Sequence, residues 1–173
     1  FHKLKLLKFL KKIIFSDLNL VLDIGAHKGE SINFFLNNFK INKIISFEAS
    51  PINFDSLKNK ETRFKKKFPK SIIQLENMAL GSSIESKKLK QFNESSSSTL
   101  SQINENSKYF KKKFAWVNLF DKKNKLYNEI QIDINTLDNY IDRNKIDLID
   151  LIKIDTEGFE FEILKGTNRN FKK

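Results

Sequence analysis

VLDIGAHKGES, residues 21–31, sets a short apolar run against an aspartate and two glycines four apart. Leu20 to Ile24 reads as a buried strand, and residues 29–39 as a helix through Ile32, Phe35, Leu36 and Phe39. The turn between them has the form D-x-G-x-x-x-G, in which glycine leaves the backbone unobstructed and helix N-terminal amides face a ligand. A dinucleotide turn usually carries three glycines as G-x-G-x-x-G. Here His27 and Glu30 stand where that pattern wants glycines. Asp23 beside the turn opposes a pyrophosphate but suits an ammonium or sulfonium group. The turn points toward S-adenosylmethionine more than NAD.

Outward from this turn the alternation continues. Lys43 to Phe47 is a second apolar strand, and Pro51 opens a helix carrying Phe54, Leu57, Phe64 and Phe68 until Pro69 ends it. Residues 71–76 make a third strand, and 147–155 a fourth, buried one. Strands alternating with helices at this spacing predict right-handed crossovers and a parallel sheet, an α/β doubly wound fold. Ligands in such folds sit beyond the carboxyl ends of the strands, which directs attention to Asp23, Glu48 and Asn77. Residues 82–140 depart from the alternation: Lys87–Phe92 and Glu129–Ile134 read as extended, ESSSSTL as a polar loop, 102–116 as partly helical, and together they predict a β-hairpin insertion. Thr136 is an N-cap candidate, and Gly166 the C-terminal stop of a last helix.

Glu48, 25 residues after Asp23, can accept hydrogen bonds from both ribose hydroxyls of an adenosine. Asn77 and Ala79 fall where the adenine would lie, although a plain turn explains Asn77 equally well. The fourth strand runs into IKIDTEGFE, where Asp155 and Glu157 place two carboxylates at the carboxyl edge; local sequence weighs capping by Thr156 and Glu157 equally with chemistry.

Taken in order, VLDIGAHKGES, SFEASP, NMALGS, ESSSSTL, INTLDNYI and IDLIKIDTEGFEFEILKG resemble the FkbM family of S-adenosylmethionine-dependent methyltransferases from about Leu20 to Gly166. The TLD block followed by K-I-D-x-E-G-x-E is the family-specific part. The resemblance implies a Rossmann-like class I methyltransferase fold, a three-layer sandwich with a mostly parallel sheet and a β-hairpin insertion before strand four. It also implies O-methylation of a hydroxyl on a sugar or natural-product acceptor. Asp23, Gly25, Ala26 and Gly29 would surround the methionine part of the cofactor, and Glu48, with Ala49 joining this set, its ribose. Asp155 and Glu157 would face the methyl group and acceptor, with His27 third among the candidate bases. His27-Lys28 departs from the family's Asn and apolar residue. The family's Ser-containing loop puts Ser97, Ser98 or Thr99 near the pocket. The fold normally has seven strands, so the chain reads as C-terminally incomplete: a leading helix over 1–17 and a fragmentary methyltransferase domain over 18–173, with strand four left as an edge.

Composition narrows the partners. The 173 residues fit one domain, and 39% apolar residues suffice for a core. Cysteine is absent, which excludes disulfide and thiolate chemistry and is compatible with a reducing compartment. No apolar run approaches the ~18 residues of a membrane helix, and Lys interrupts the opening FHKLKLLKFLKKIIF, so the expected location is cytoplasmic. That opening reads as an amphipathic helix docked on the domain, without stable membrane insertion. A net charge of +11 suggests nucleic acid, but only Arg63, Arg143 and Arg169 are arginines, and phosphate recognition favours Arg. Lys65–Lys67 and Lys111–Lys113 then read as solvated faces. The expected partner is a small-molecule or glycan acceptor, with no nucleic acid and no metal ligand set. The rival readings are a non-catalytic nucleotide-binding or interaction module on the same fold, and a nucleic-acid methyltransferase.

Overall fold

The structure is a computed structural model that describes residues 2–92, 98–100 and 127–167. The chain divides into two compact units: Phe1–Asn77 with Ile141–Asp155, and Met78–Tyr140 with Thr156–Lys173. The expectations for residues 102–116, for Lys111–Lys113 and for Ser97 lie outside the described residues.

In the first unit, α1 (His2–Ile13) leads into β1 (Leu18–Ile24), α2 (Glu30–Asn38), β2 (Ile41–Phe47), α3 (Pro51–Lys58), α4 (Glu61–Lys67) and β3 (Ile72–Glu76). Strand β8 (Leu151–Ile154) returns late in the chain to join the sheet. Its order is β3-β2-β1-β8, and every pairing is parallel. The first strand therefore lies inside the sheet, which is why β1 is a nearly unbroken apolar run buried on both faces. Val21, Ile44 and Ile73 pack with Leu10 of α1, Ile32 and Phe35 of α2, Leu57 of α3 and Phe64 of α4 in one core.

Two local expectations need correction. The helix expected from Pro51 to Phe68 is two helices: the Lys60 N–H bonds the Leu57 carbonyl, three residues back, which tightens the turn and ends α3. Strand four is shorter than 147–155 and half-buried rather than buried, because β8 is an edge strand of this sheet among the described residues.

The second unit holds β4 (Ala79–Leu80), β5 (Glu85–Phe92), β6 (Ser98–Thr99) and β7 (Tyr127–Asn135) in the order β4-β7-β5-β6. β5 and β7 pair antiparallel from Glu85↔Ile134 to Phe92↔Tyr127, as the expected hairpin requires. β4 adds a parallel strand beside β7, and Ser98–Thr99 pairs with Lys90 and Gln91 instead of forming part of a loop. Helix α5 (Leu137–Arg143) follows β7, and its first turn is capped as expected, Thr136 Oγ1 accepting from the Asn139 N–H at 3.1 Å. Helix α6 (Glu160–Lys165) ends at Gly166, but with φ −78, outside the left-handed region expected of a glycine stop. Gly166 is needed for closeness: a Cβ there would collide with the Gly81 carbonyl.

Candidate functional site

Parallel register assembles the site in the first unit. Asp23 lies opposite Ser46 on β2 and Lys153 on β8, so the three side chains share one face of the sheet in one row. Asp23 is fully buried. Its Oδ2 accepts from Ser31 Oγ at 2.5 Å and Ser46 Oγ at 3.4 Å, and its Oδ1 stands 3.1 Å from Lys153 Nζ. Such a buried carboxylate persists only because it is hydrogen-bonded and charge-paired. Its oxygens face protein groups, whatever is bound beyond the turn.

The turn itself differs from the sequence expectation in one respect. Its amides are already in use. Gly25 and Ala26 N–H donate to the Phe47 carbonyl (3.0 and 2.9 Å), His27 N–H to Glu48 Oε2 (2.8 Å), Lys28 N–H to Glu30 Oε2 (3.2 Å) and Gly29 N–H to the Ala26 carbonyl (2.8 Å). The φ angles of 82° at Gly25, 49° at His27 and 85° at Gly29 fold the backbone tightly enough to do this. Ala26 is buried in the core. At Gly29 a Cβ would lie 2.6 Å from Phe64 Cζ and 2.9 Å from Leu57 Cδ1, so this glycine serves the packing of α3 and α4.

At the start of α2, Glu30 occupies the position an anion would take. Burial is the largest influence on its carboxyl and pushes it up, but its own N–H, the nearby His27 and the Lys28 N–H together hold it below the ordinary value. His27 Nδ1 stands 3.4 Å from the same carboxylate, and the imidazole is 31% exposed.

Glu48 follows β2 and is buried. One carboxylate oxygen accepts from His27 N–H and the other from Ser50 N–H at 2.9 Å, so Glu48 ties the glycine turn to the start of α3. Burial raises its carboxyl above the ordinary glutamate value against the pull of those donors. Ala49 is half-buried beside it. Asn77, exposed after β3, donates from Nδ2 to the Glu48 carbonyl at 2.8 Å. The Glu48 N–H in turn bonds the Glu76 carbonyl. Asp155 directly follows β8, its side chain 73% exposed and 3.9 Å from Lys153 Nζ. The carboxyl edge of this sheet thus carries, in spatial order, Asn77, Glu48, the 25–29 turn and Asp155.

The second unit holds the other two candidates. Ala79 is buried in β4, paired with Ile134. Glu157 is exposed with φ 55. Ahead of α6, Glu160 Oε1 accepts from the Thr156 and Gly158 N–H groups (2.8 and 3.2 Å).

Sequence reasoning missed Lys153, Ser31, Ser46 and Glu160. A lysine inside the apolar L-I-K-I run was the available signal for the first, since a charge in a strand interior requires a partner. The row that supplies the partner depends on register between residues as distant in sequence as Asp23 and Lys153, which no local pattern records.

An all-parallel β3-β2-β1-β8 sheet with a glycine turn after its first strand and an acid after its second defines a Rossmann-like α/β protein. The chain matches the Methyltransferase FkbM domain over residues 23–173, and it belongs to that family. Its fold resembles the crystal structure of methyltransferase FkbM from Methylobacillus flagellatus KT (TM-score 0.56, 23% identity), over 90% of this chain and 30% of that one. The chain thus spans under a third of that relative's length. A weaker likeness is to the YcgJ protein of Bacillus subtilis, with a TM-score of 0.30 and 18% identity over 43% of this chain and 29% of that one. No curated protein matches the chain.

Proposed function

We propose that the chain is the cofactor-binding part of an S-adenosylmethionine-dependent methyltransferase acting on a hydroxyl of a sugar or natural-product acceptor. The observation that carries the cofactor reading is the saturated glycine turn. Its five amides bond protein oxygens, and Glu30 stands at the helix start, so a dinucleotide pyrophosphate would meet a carboxylate and turn amides that are already engaged. A ligand bearing ammonium and sulfonium groups meets the opposite, a favourable acidic edge.

The residues present fit this group. A carboxylate offers about four acceptor positions. Glu48 uses two on the His27 and Ser50 N–H groups and a third on the Asn53 side chain, leaving capacity for a ribose hydroxyl. Gly25, Ala26 and Gly29 would shape the methionine side through backbone, Asp23 from behind the turn, and Ala49, Asn77 and Ala79 would bound the adenosine. Bound there, S-adenosylmethionine supplies an electrophilic methyl group. Positioning of the acceptor oxygen is then the main demand on the protein. Asp155, exposed at the end of β8, is the first candidate to take the hydroxyl proton, followed by Glu157 and His27. The family membership supports the methyltransferase class; the acceptor class rests on the resemblance alone. No helix among the described residues is long and apolar enough to cross a membrane, and a cytoplasmic location is proposed with the reaction.

Calorimetric titration of S-adenosylhomocysteine, with NAD in parallel, tests the reading. Micromolar binding of the first and none of the second is expected. NAD binding, or silence from both in the full-length protein, would overturn it. Turnover is then scored with hydroxylated acceptors in wild type and Asp155→Asn, which should lower kcat by 10²-fold or more if Asp155 is the base.

A further inference from the structure

We propose that Lys153 is a positioning residue that holds the backbone of the glycine turn, a role that rests on the cofactor reading above. Its side chain reaches from β8 across β1 and is only 22% exposed. An ammonium has three hydrogens to place. Nζ lies 2.7 Å from the Gly25 carbonyl and 3.4 Å from the Ile24 carbonyl, both with hydrogen-bond geometry. Asp23 Oδ1 is 3.1 Å away, yet that oxygen receives no properly directed hydrogen bond. The charge of Lys153 thus compensates Asp23, while its hydrogens are directed at the turn.

That division separates two jobs. A counterion alone would serve Asp23 from any nearby position, whereas the contact to Gly25 requires an amine on this residue of β8. The same strand delivers Asp155, whose N–H also bonds the Ile24 carbonyl at 3.0 Å. Lys153 therefore links the strand bearing the candidate base to the turn that would hold the methyl donor, all within the first unit.

Lys153→Met, Asp23→Asn and the double variant distinguish the two jobs. The readouts are thermal midpoint, amide hydrogen exchange of residues 24–28 in the ligand-free chain, and S-adenosylhomocysteine affinity. Lys153→Met should lower the midpoint by leaving Asp23 uncompensated, and adding Asp23→Asn should restore it. In the double variant, exchange at 24–28 should remain at least tenfold faster than in Asp23→Asn, and affinity at least tenfold weaker. Lys153→Arg, which keeps the charge and donors, should recover part of the protection. Exchange returning to the Asp23→Asn level in the double variant would overturn the proposal and reduce Lys153 to a counterion. If the wild type binds no S-adenosylhomocysteine, the cofactor reading fails by itself, and the exchange comparison still decides for or against Lys153.

Discussion

At the scale of single residues, Glu48 is held under opposing demands. Burial favours its protonated form, and the N–H groups of His27 and Ser50 favour its carboxylate; burial prevails. A carboxyl raised in the folded state stabilises the fold most when protonated, fully below its ordinary value of 4.5 and progressively less as pH rises through the folded value. Glu48→Gln does not titrate. The difference in thermal midpoint, wild type minus variant, should therefore grow as pH falls from neutrality toward that value, while Glu30 and the other lowered carboxyls change both proteins alike. Parallel curves for the two proteins would show that Glu48 is not strained by its burial. Gly29 gives a second prediction: Gly29→Ala meets Phe64 and Leu57 and strains a φ of 85°, which should cost roughly 2–4 kcal/mol in denaturant unfolding. Most candidate positions were legible because strand ends and glycine turns are local patterns. That Asp23 and Glu48 point their oxygens at protein groups was not, since it depends on neighbours brought in by folding.

Among the elements, legibility followed periodicity. β1, α2 and β2 were found to within about two residues, because buried strands and an amphipathic helix each write their own period into the sequence. The break between α3 and α4 escaped notice, since Asn59-Lys60 carries neither Gly nor Pro and the apolar spacing of Leu57 and Phe64 continues across it. β4 was unreadable as a strand, being only two residues long and defined by its pairing with β7. The approach of α6 to β4 is equally non-local, and it ranks two substitutions. A methyl at Gly166 is directed at the backbone oxygen of Gly81, which cannot move without shifting β4. A methyl at Gly81 would meet Ile134 Cγ2 at 2.8 Å and Phe159 Cε1 at 3.1 Å, side chains that can adjust. Gly166→Ala should therefore destabilise more than Gly81→Ala, by about 1–3 kcal/mol, in denaturant midpoints measured side by side. The reverse order would mean that the backbone at 81 yields more easily than the side chains around it.

For the whole molecule, two global properties have different standing. The division into units was invisible to a search for linkers, because each unit is built from two separate stretches and the chain passes between them after Asn77, Tyr140 and Asp155. The net charge of +11 was plain, and the question is what it binds. It is a lysine charge, with three arginines among 32 cationic residues, and part of it is neutralised locally, as where Glu61 pairs with Lys58 and Lys65. Such a surface attracts polyanions by counterion release without reading them. Short RNAs of unrelated sequence should therefore bind weakly at low salt and lose affinity with the same steep slope of log affinity against log salt. S-adenosylhomocysteine affinity should be unaffected by RNA. A nucleic-acid methyltransferase would behave otherwise: one RNA would hold on at physiological salt, and its binding and that of the cofactor product would shift each other by equal factors, as linkage requires. Paired titrations, RNA with and without S-adenosylhomocysteine and the converse, separate a surface that is merely cationic from one that selects its substrate.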